Sequence, residues 1–128
     1  LSSSSAASDV YKRQIYHSNL FQHIPAGTKY SFILSNPPYI DPAVDRATES
    51  VKSHEPHIAL YGGTAGMEII EQLIKDAPAY LVSGGQLWIE HEPEQSAAIK
   101  SIAQEHNFAA TTHNDQYAVD RYSILVLQ

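Results

Sequence analysis

Four consecutive residues, Asn36, Pro37, Pro38 and Tyr39, carry the most legible chemistry in this chain. An amide or amino nitrogen is a poor nucleophile because its lone pair is delocalised. A catalyst that methylates such a nitrogen must hold its two hydrogens and aim the lone pair at the incoming carbon. The Asn36 side-chain oxygen can accept one hydrogen bond, and the Pro37 carbonyl can accept the second. Two successive prolines fix φ and restrict the residue before each, so both acceptors are pre-aimed. Tyr39 offers a flat face on which a planar group stacks. The plainer alternative is an Asn-Pro turn with a tyrosine behind it. By average residue usage, such a tetrapeptide arises in roughly one in a few thousand chains of this size, which favours the chemical reading.

The element that must present this corner is the apolar run at residues 30–34 (Tyr-Ser-Phe-Ile-Leu), read as a buried strand. In open α/β sheets, ligands bind beyond the C-terminal ends of strands. Before it, residues 15–21 read as a short strand, followed by a turn at Pro25-Ala26-Gly27. Residues 41–55 are polar and read as a long loop, a length often given to lids and binding loops. After a glycine-rich hinge at residues 61–66, Met67, Ile70, Leu73 and Ile74 recur at helical spacing, and the pattern continues toward Tyr80. Ser83-Gly84-Gly85 turns the chain into a strand at 86–90, whose continuous Leu87-Trp88-Ile89 run suits a strand covered on both faces. A helix at 94–107 and strands at 109–113 and 122–127 complete an α/β pattern closing on a β-hairpin. The strands at 30–34 and 86–90 are expected to be parallel neighbours, joined by the intervening helix.

Several other groups of residues have bland readings that prevail. His54 and His57 have a metal-like spacing, but Pro56 breaks the helix that would align them and no cluster completes a site. Residues 62–66 contain glycines, yet follow a polar loop rather than a strand, against the needs of a phosphate cradle. Glu90 and His91 read as a polar strand terminus rather than as acid and base. Glu55-Pro56 reads as structural ordering of its loop, and Gly84-Gly85-Gln86 as a turn entering a strand.

The 128 residues amount to one domain or part of one, and 43% hydrophobic with 17% charged residues permits a core. A net charge of −6 argues against broad adhesion to nucleic acid phosphates. No cysteine is present, which removes disulfides, thiolate nucleophiles and thiolate zinc sites. No apolar run approaches the ~18 residues of a membrane span. Residues 1–14 are serine- and alanine-rich and read as a non-native or disordered leader, set apart from a folded unit at 15–128.

Ser35 to Ile40, Glu55-Pro56 with Ala59-Leu60, and residues 81–85 leading to Glu90-His91 occur in an order and spacing that resembles the HemK/PrmC family. Those enzymes are release factor glutamine methyltransferases. The resemblance implies a Rossmann-like class I S-adenosylmethionine-dependent methyltransferase fold, truncated at the N-terminus and ending in a β-hairpin. It implies S-adenosyl-L-methionine as cofactor, a peptide-chain release factor as protein substrate, and a cytoplasmic enzyme acting on the glutamine of a Gly-Gly-Gln motif. By the same resemblance, Asn36 and Pro37 bind the glutamine amide, Pro38 and Tyr39 shape its slot, and Asn36 and Asn19 border the cofactor. For Asn19 the alternative is an ordinary turn residue. The family's glycine-rich cofactor turn has no counterpart here, so the chain alone is expected to be inactive and to bind the cofactor weakly. Two other readings stand beside this one. An adenine N6-methyltransferase uses a related corner on a flipped-out base; a non-catalytic binding domain would use the sheet alone.

Overall fold

Alternation along one strand decides how the molecule is layered. Leu87 and Ile89 are wholly buried, whereas Gln86, Trp88 and Glu90 are only half-buried. This is the period of two expected of a strand with one face on a core. The computed structural model describes residues 13–37 and 66–128. Within them, strands β1 (Tyr30–Ser35), β2 (Leu81–Glu90), β3 (Phe108–Asn114) and β4 (Asp120–Leu127) form one sheet in the order β1-β2-β4-β3. Strands β1 and β2 are parallel, as their sequence predicts; β4 lies antiparallel to both β2 and β3. Strands β3 and β4 are the expected hairpin.

Helix α1 (Glu68–Asp76) follows β1 and turns Ile70, Leu73 and Ile74 inward. It stops short of the predicted Tyr80 because Pro78 has no N–H to continue the ladder, and residues Ala77–Tyr80 tighten into a 3-10 turn. Helix α2 (Ser96–Glu105) follows a 3-10 turn at Pro93–Gln95 and buries Ile99 and Ala103. Asn107 ends the run at φ +67, a left-handed conformation that asparagine tolerates well. Both helices share one core with Leu81, Leu87, Ile89, Phe108 and Leu125. They therefore cover one face of the sheet. On the other face Phe32 is 58% and Leu34 73% exposed.

Four expectations are corrected. Residues 30–34 form a strand but not a buried one among the described residues, because Phe32 and Leu34 stand 58% and 73% exposed on the open face. Residues 15–21 form no strand: Leu20 has φ +54, and the His23 N–H donates to Ser18 Oγ at 2.8 Å, closing a compact turn. Strand 86–90 is covered on one face among the described residues, not two, because Trp88 alternates away from the core that takes Leu87 and Ile89. Strand β2 also begins at Leu81, before the glycines, which lie in a bulge within it. The expectations for residues 38–65 and most of 1–14 lie outside the described residues.

Candidate functional site

The parallel pairing of β1 with β2 brings Ser35 beside Ile89 and delivers Asn36 at the exit of β1. Asn36 is exposed and Pro37 is buried, so the corner is anchored at the proline while the amide faces outward. A cleft of about 470 Å³ opens there, lined by Leu34, Ser35, Asn36, Trp88, Ile89, Glu90, Arg121 and Tyr122. It lies at the C-terminal ends of the two parallel strands, the location that α/β topology favours for a ligand.

The walls are aromatic on one side and charged on the other. Trp88 stacks on Tyr122 with ring centroids 5.8 Å apart and planes within 10°, and Tyr122 stacks on His113 at 5.2 Å. The Trp88 indole N–H donates to Gln86 Oε1 at 2.8 Å, which fixes the ring's tilt. Arg121 is held between two carboxylates, Glu92 at 3.0 Å and Asp115 at 3.4 Å. Its charge is therefore compensated within the protein.

The hairpin loop sets that arrangement. Asp115 Oδ1 accepts the backbone N–H groups of Tyr117 (2.8 Å) and Val119 (3.1 Å), while Ala118 adopts φ +60. Desolvation pulls the Asp115 carboxyl up, but these two N–H groups and the Arg121 guanidinium outweigh it and hold it below the usual carboxylate range. On the far side, Gln95 Oε1 accepts the Glu92 N–H at 2.9 Å, fixing the turn from which Glu92 reaches Arg121.

Of the site residues expected from sequence, Asn36 and Pro37 are at the mouth of the cleft or beside it, and Pro38 and Tyr39 lie outside the described residues. Asn19 is not among the cleft residues. It sits in the 18–24 turn, where its carbonyl accepts the Gln22 N–H. Neighbouring Phe21 stacks on Tyr80 at 4.6 Å, just ahead of the start of β2. Glu90 does line the cleft, whereas His91 is buried behind it. Sequence reasoning missed Trp88, Arg121 and Tyr122 as wall residues. The continuous apolar run at 87–89 gave no signal that Trp88 would face outward, and nothing local marked Arg121. Among the described residues no cluster of His, Asp or Glu could hold a metal.

Fold and cleft together define an α/β protein with a mixed sheet and a cleft at its parallel strand ends. Curated relatives sharpen this. The chain is 30% identical over 106 residues to a release factor glutamine methyltransferase of Yersinia pestis, covering 78% of this chain and 38% of the relative. It is 37% identical over 97 residues to one from Coxiella burnetii, covering 76% and 34%. A ribosomal protein uL3 glutamine methyltransferase of Bordetella pertussis is 39% identical over 82 residues, covering 62% and 27%. No family model matches the chain. The chain is thus a relative of the HemK/PrmC glutamine methyltransferases, and it spans about a third of the length of the curated relatives it matches.

Proposed function

We propose that this chain supplies the substrate-amide side of a protein-(glutamine-N5) methyltransferase, as the C-terminal part of a Rossmann-like class I catalytic domain. The observation that carries the reading is the placement of Asn36-Pro37 at the exit of a parallel strand, opening on the Trp88–Tyr122 cleft. In it, the Asn36 oxygen and the Pro37 carbonyl accept the two hydrogens of the glutamine amide. That turns the nitrogen lone pair toward the donor and restricts the amide to one orientation. The flat walls of Trp88 and Tyr122, with Tyr39 beyond Pro38, confine the planar group.

S-adenosyl-L-methionine supplies the methyl group from a sulfonium that leaves as a neutral thioether. An amide acceptor and a carboxylate beside apolar rings form a donor set that suits a cationic, heterocyclic cofactor. Asn36 borders it in this reading; the role of Asn19 on its adenine side belongs to the whole protein. The nitrogen sheds its proton once the new bond forms, so no strong base is needed beforehand. The substrate is a peptide-chain release factor, as the names of the relatives suggest, and the enzyme is cytoplasmic. Among the described residues no helix is long and apolar enough to cross a membrane.

The test offers the full-length protein, with S-adenosylmethionine, three acceptors: a release factor, ribosomal protein uL3 and an adenine-containing oligonucleotide. Methylglutamine in the release factor supports the reading. Methylation of uL3 instead moves the substrate, and N6-methyladenine overturns the amide assignment.

A further inference from the structure

The His91 imidazole is wholly buried although it directly follows Glu90, which lines the cleft. Both ring nitrogens are engaged, Nδ1 with the Glu92 carbonyl at 2.8 Å and Nε2 with Ser123 Oγ at 2.7 Å. A carbonyl can only accept, so Nδ1 carries the proton and Nε2 accepts from the Ser123 hydroxyl. With its own proton committed, Ser123 Oγ accepts from Thr112 Oγ1, 3.4 Å away. The hydrogen bonds thus run one way, from β3 through β4 to the residue that leaves β2. The backbone adds another link, because the His91 N–H donates to the Arg121 carbonyl at 2.8 Å.

A serine within hydrogen-bond reach of a histidine is also how a nucleophilic pair begins. Ser123 is only 1% exposed, so no substrate carbon reaches it and the pair performs no chemistry of its own. What it does is mechanical. The residues around the clamp are the cleft wall: Glu90 precedes His91, while Arg121 and Tyr122 precede Ser123. In β2 and β4 Ile89 faces Ser123 and Glu90 faces Tyr122. A slip of one residue here would turn Tyr122 from the cleft to the core and Ser123 the other way.

We infer that His91 is a positioning residue for the glutamine-peptide site, acting through Ser123 and the Arg121 carbonyl to hold Glu90, Arg121 and Tyr122 in the cleft that Asn36 enters. This inference rests on the methyltransferase reading above. A buried residue with no access to substrate thereby controls how well the peptide is held.

The experiment uses the full-length protein, S-adenosylmethionine and a synthetic peptide with glutamine after two glycines. Ser123→Ala removes the donor to Nε2 without altering a cleft side chain. It should lower kcat/KM for the peptide about tenfold, mostly through KM, with cofactor affinity unchanged. His91→Gln restores an acceptor toward Ser123 and should stay within about threefold of wild type; His91→Leu should fall at least as far as Ser123→Ala. The emission of Trp88, the only tryptophan of these 128 residues and isolated by subtracting the emission of a Trp88→Phe reference, should shift in the two impaired variants and not in His91→Gln. Unchanged peptide kinetics in Ser123→Ala overturns the inference. So does a loss that disappears when the assay is run well below each variant's melting temperature. A wild-type protein that fails to methylate the peptide overturns the underlying reading, and the inference with it.

Discussion

Replacing Gly85 by alanine tests how the sheet delivers Asn36 to the cleft. Between Tyr30↔Leu81 and Phe32↔Gln86, two steps along β1 correspond to five along β2, so three extra residues bulge out of β2. Gly85 sits at the tightest point of that bulge. A Cβ there would lie 2.8 Å from the Val82 carbonyl oxygen, 3.1 Å from Leu81 Cδ2 and 3.2 Å from the Tyr30 carbonyl oxygen. The Leu81 methyl can swing aside, but the two carbonyls belong to backbone and move only if the bulge or β1 moves. Overpacking of this kind costs ~1–3 kcal/mol, and two backbone contacts place the expected value toward the upper end. For a domain of this size the melting temperature should fall by roughly 10 °C.

Gly84→Ala is the internal control. Gly84 has φ +78 with no atom within 4 Å of a Cβ, so its alanine meets conformational strain alone, about 1 kcal/mol. Urea unfolding followed by Trp88 fluorescence would rank the two, with an unchanged m-value showing that the same surface unfolds. If Gly85→Ala proves no more damaging than Gly84→Ala, the bulge yields freely. The register that sets where β1 ends would then not depend on this contact.

Other consequences are as direct. In the full-length protein Asn36→Ala should lower the rate of glutamine methylation ~10²–10³-fold, the usual loss for one well-aimed polar contact, as measured by methyl incorporation into a release factor. Tyr39→Phe keeps the ring face and should cost far less than Tyr39→Ala in the same assay. Burial holds the His91 imidazole below its ordinary value near 6.5, outweighing the Glu92 carbonyl and the Asp120 and Glu92 carboxylates; Arg121 acts with burial. The unfolded chain then binds this proton at higher pH than the folded one. The stability contribution is full above about pH 6.5 and is lost as pH falls toward the folded value, so melting curves of His91→Gln should show a shallower acid slope than wild type. Leu87→Ala empties a wholly buried position and should cost ~2–5 kcal/mol in urea unfolding, whereas Trp88→Ala should cost less stability relative to the area removed.

What the sequence determined by itself was local. Prolines that fix φ made the Asn36 corner legible, helical spacing placed α1, and short apolar runs bounded by turn residues placed β1, the second half of β2 and the β3–β4 hairpin, because each of these signals acts within a few residues. The order and spacing of the short motifs pointed to the glutamine methyltransferases for the same reason. Tertiary structure decided the rest. Residues 15–21 have strand-like composition, yet side-chain bonds such as that from the His23 N–H to Ser18 Oγ close them into a turn. The apolar run at 87–89 could not say which face would be covered; the shared packing of α1 and α2 on Leu87 and Ile89 turned Trp88 outward to become a wall. Arg121 carries no local mark of a role. It becomes one only when β4 returns beside β2 and two carboxylates, 29 and 6 residues away in sequence, close on its guanidinium. The Glu92 contact spans 29 residues and depends on how the strands pair, and no local pattern encodes that pairing.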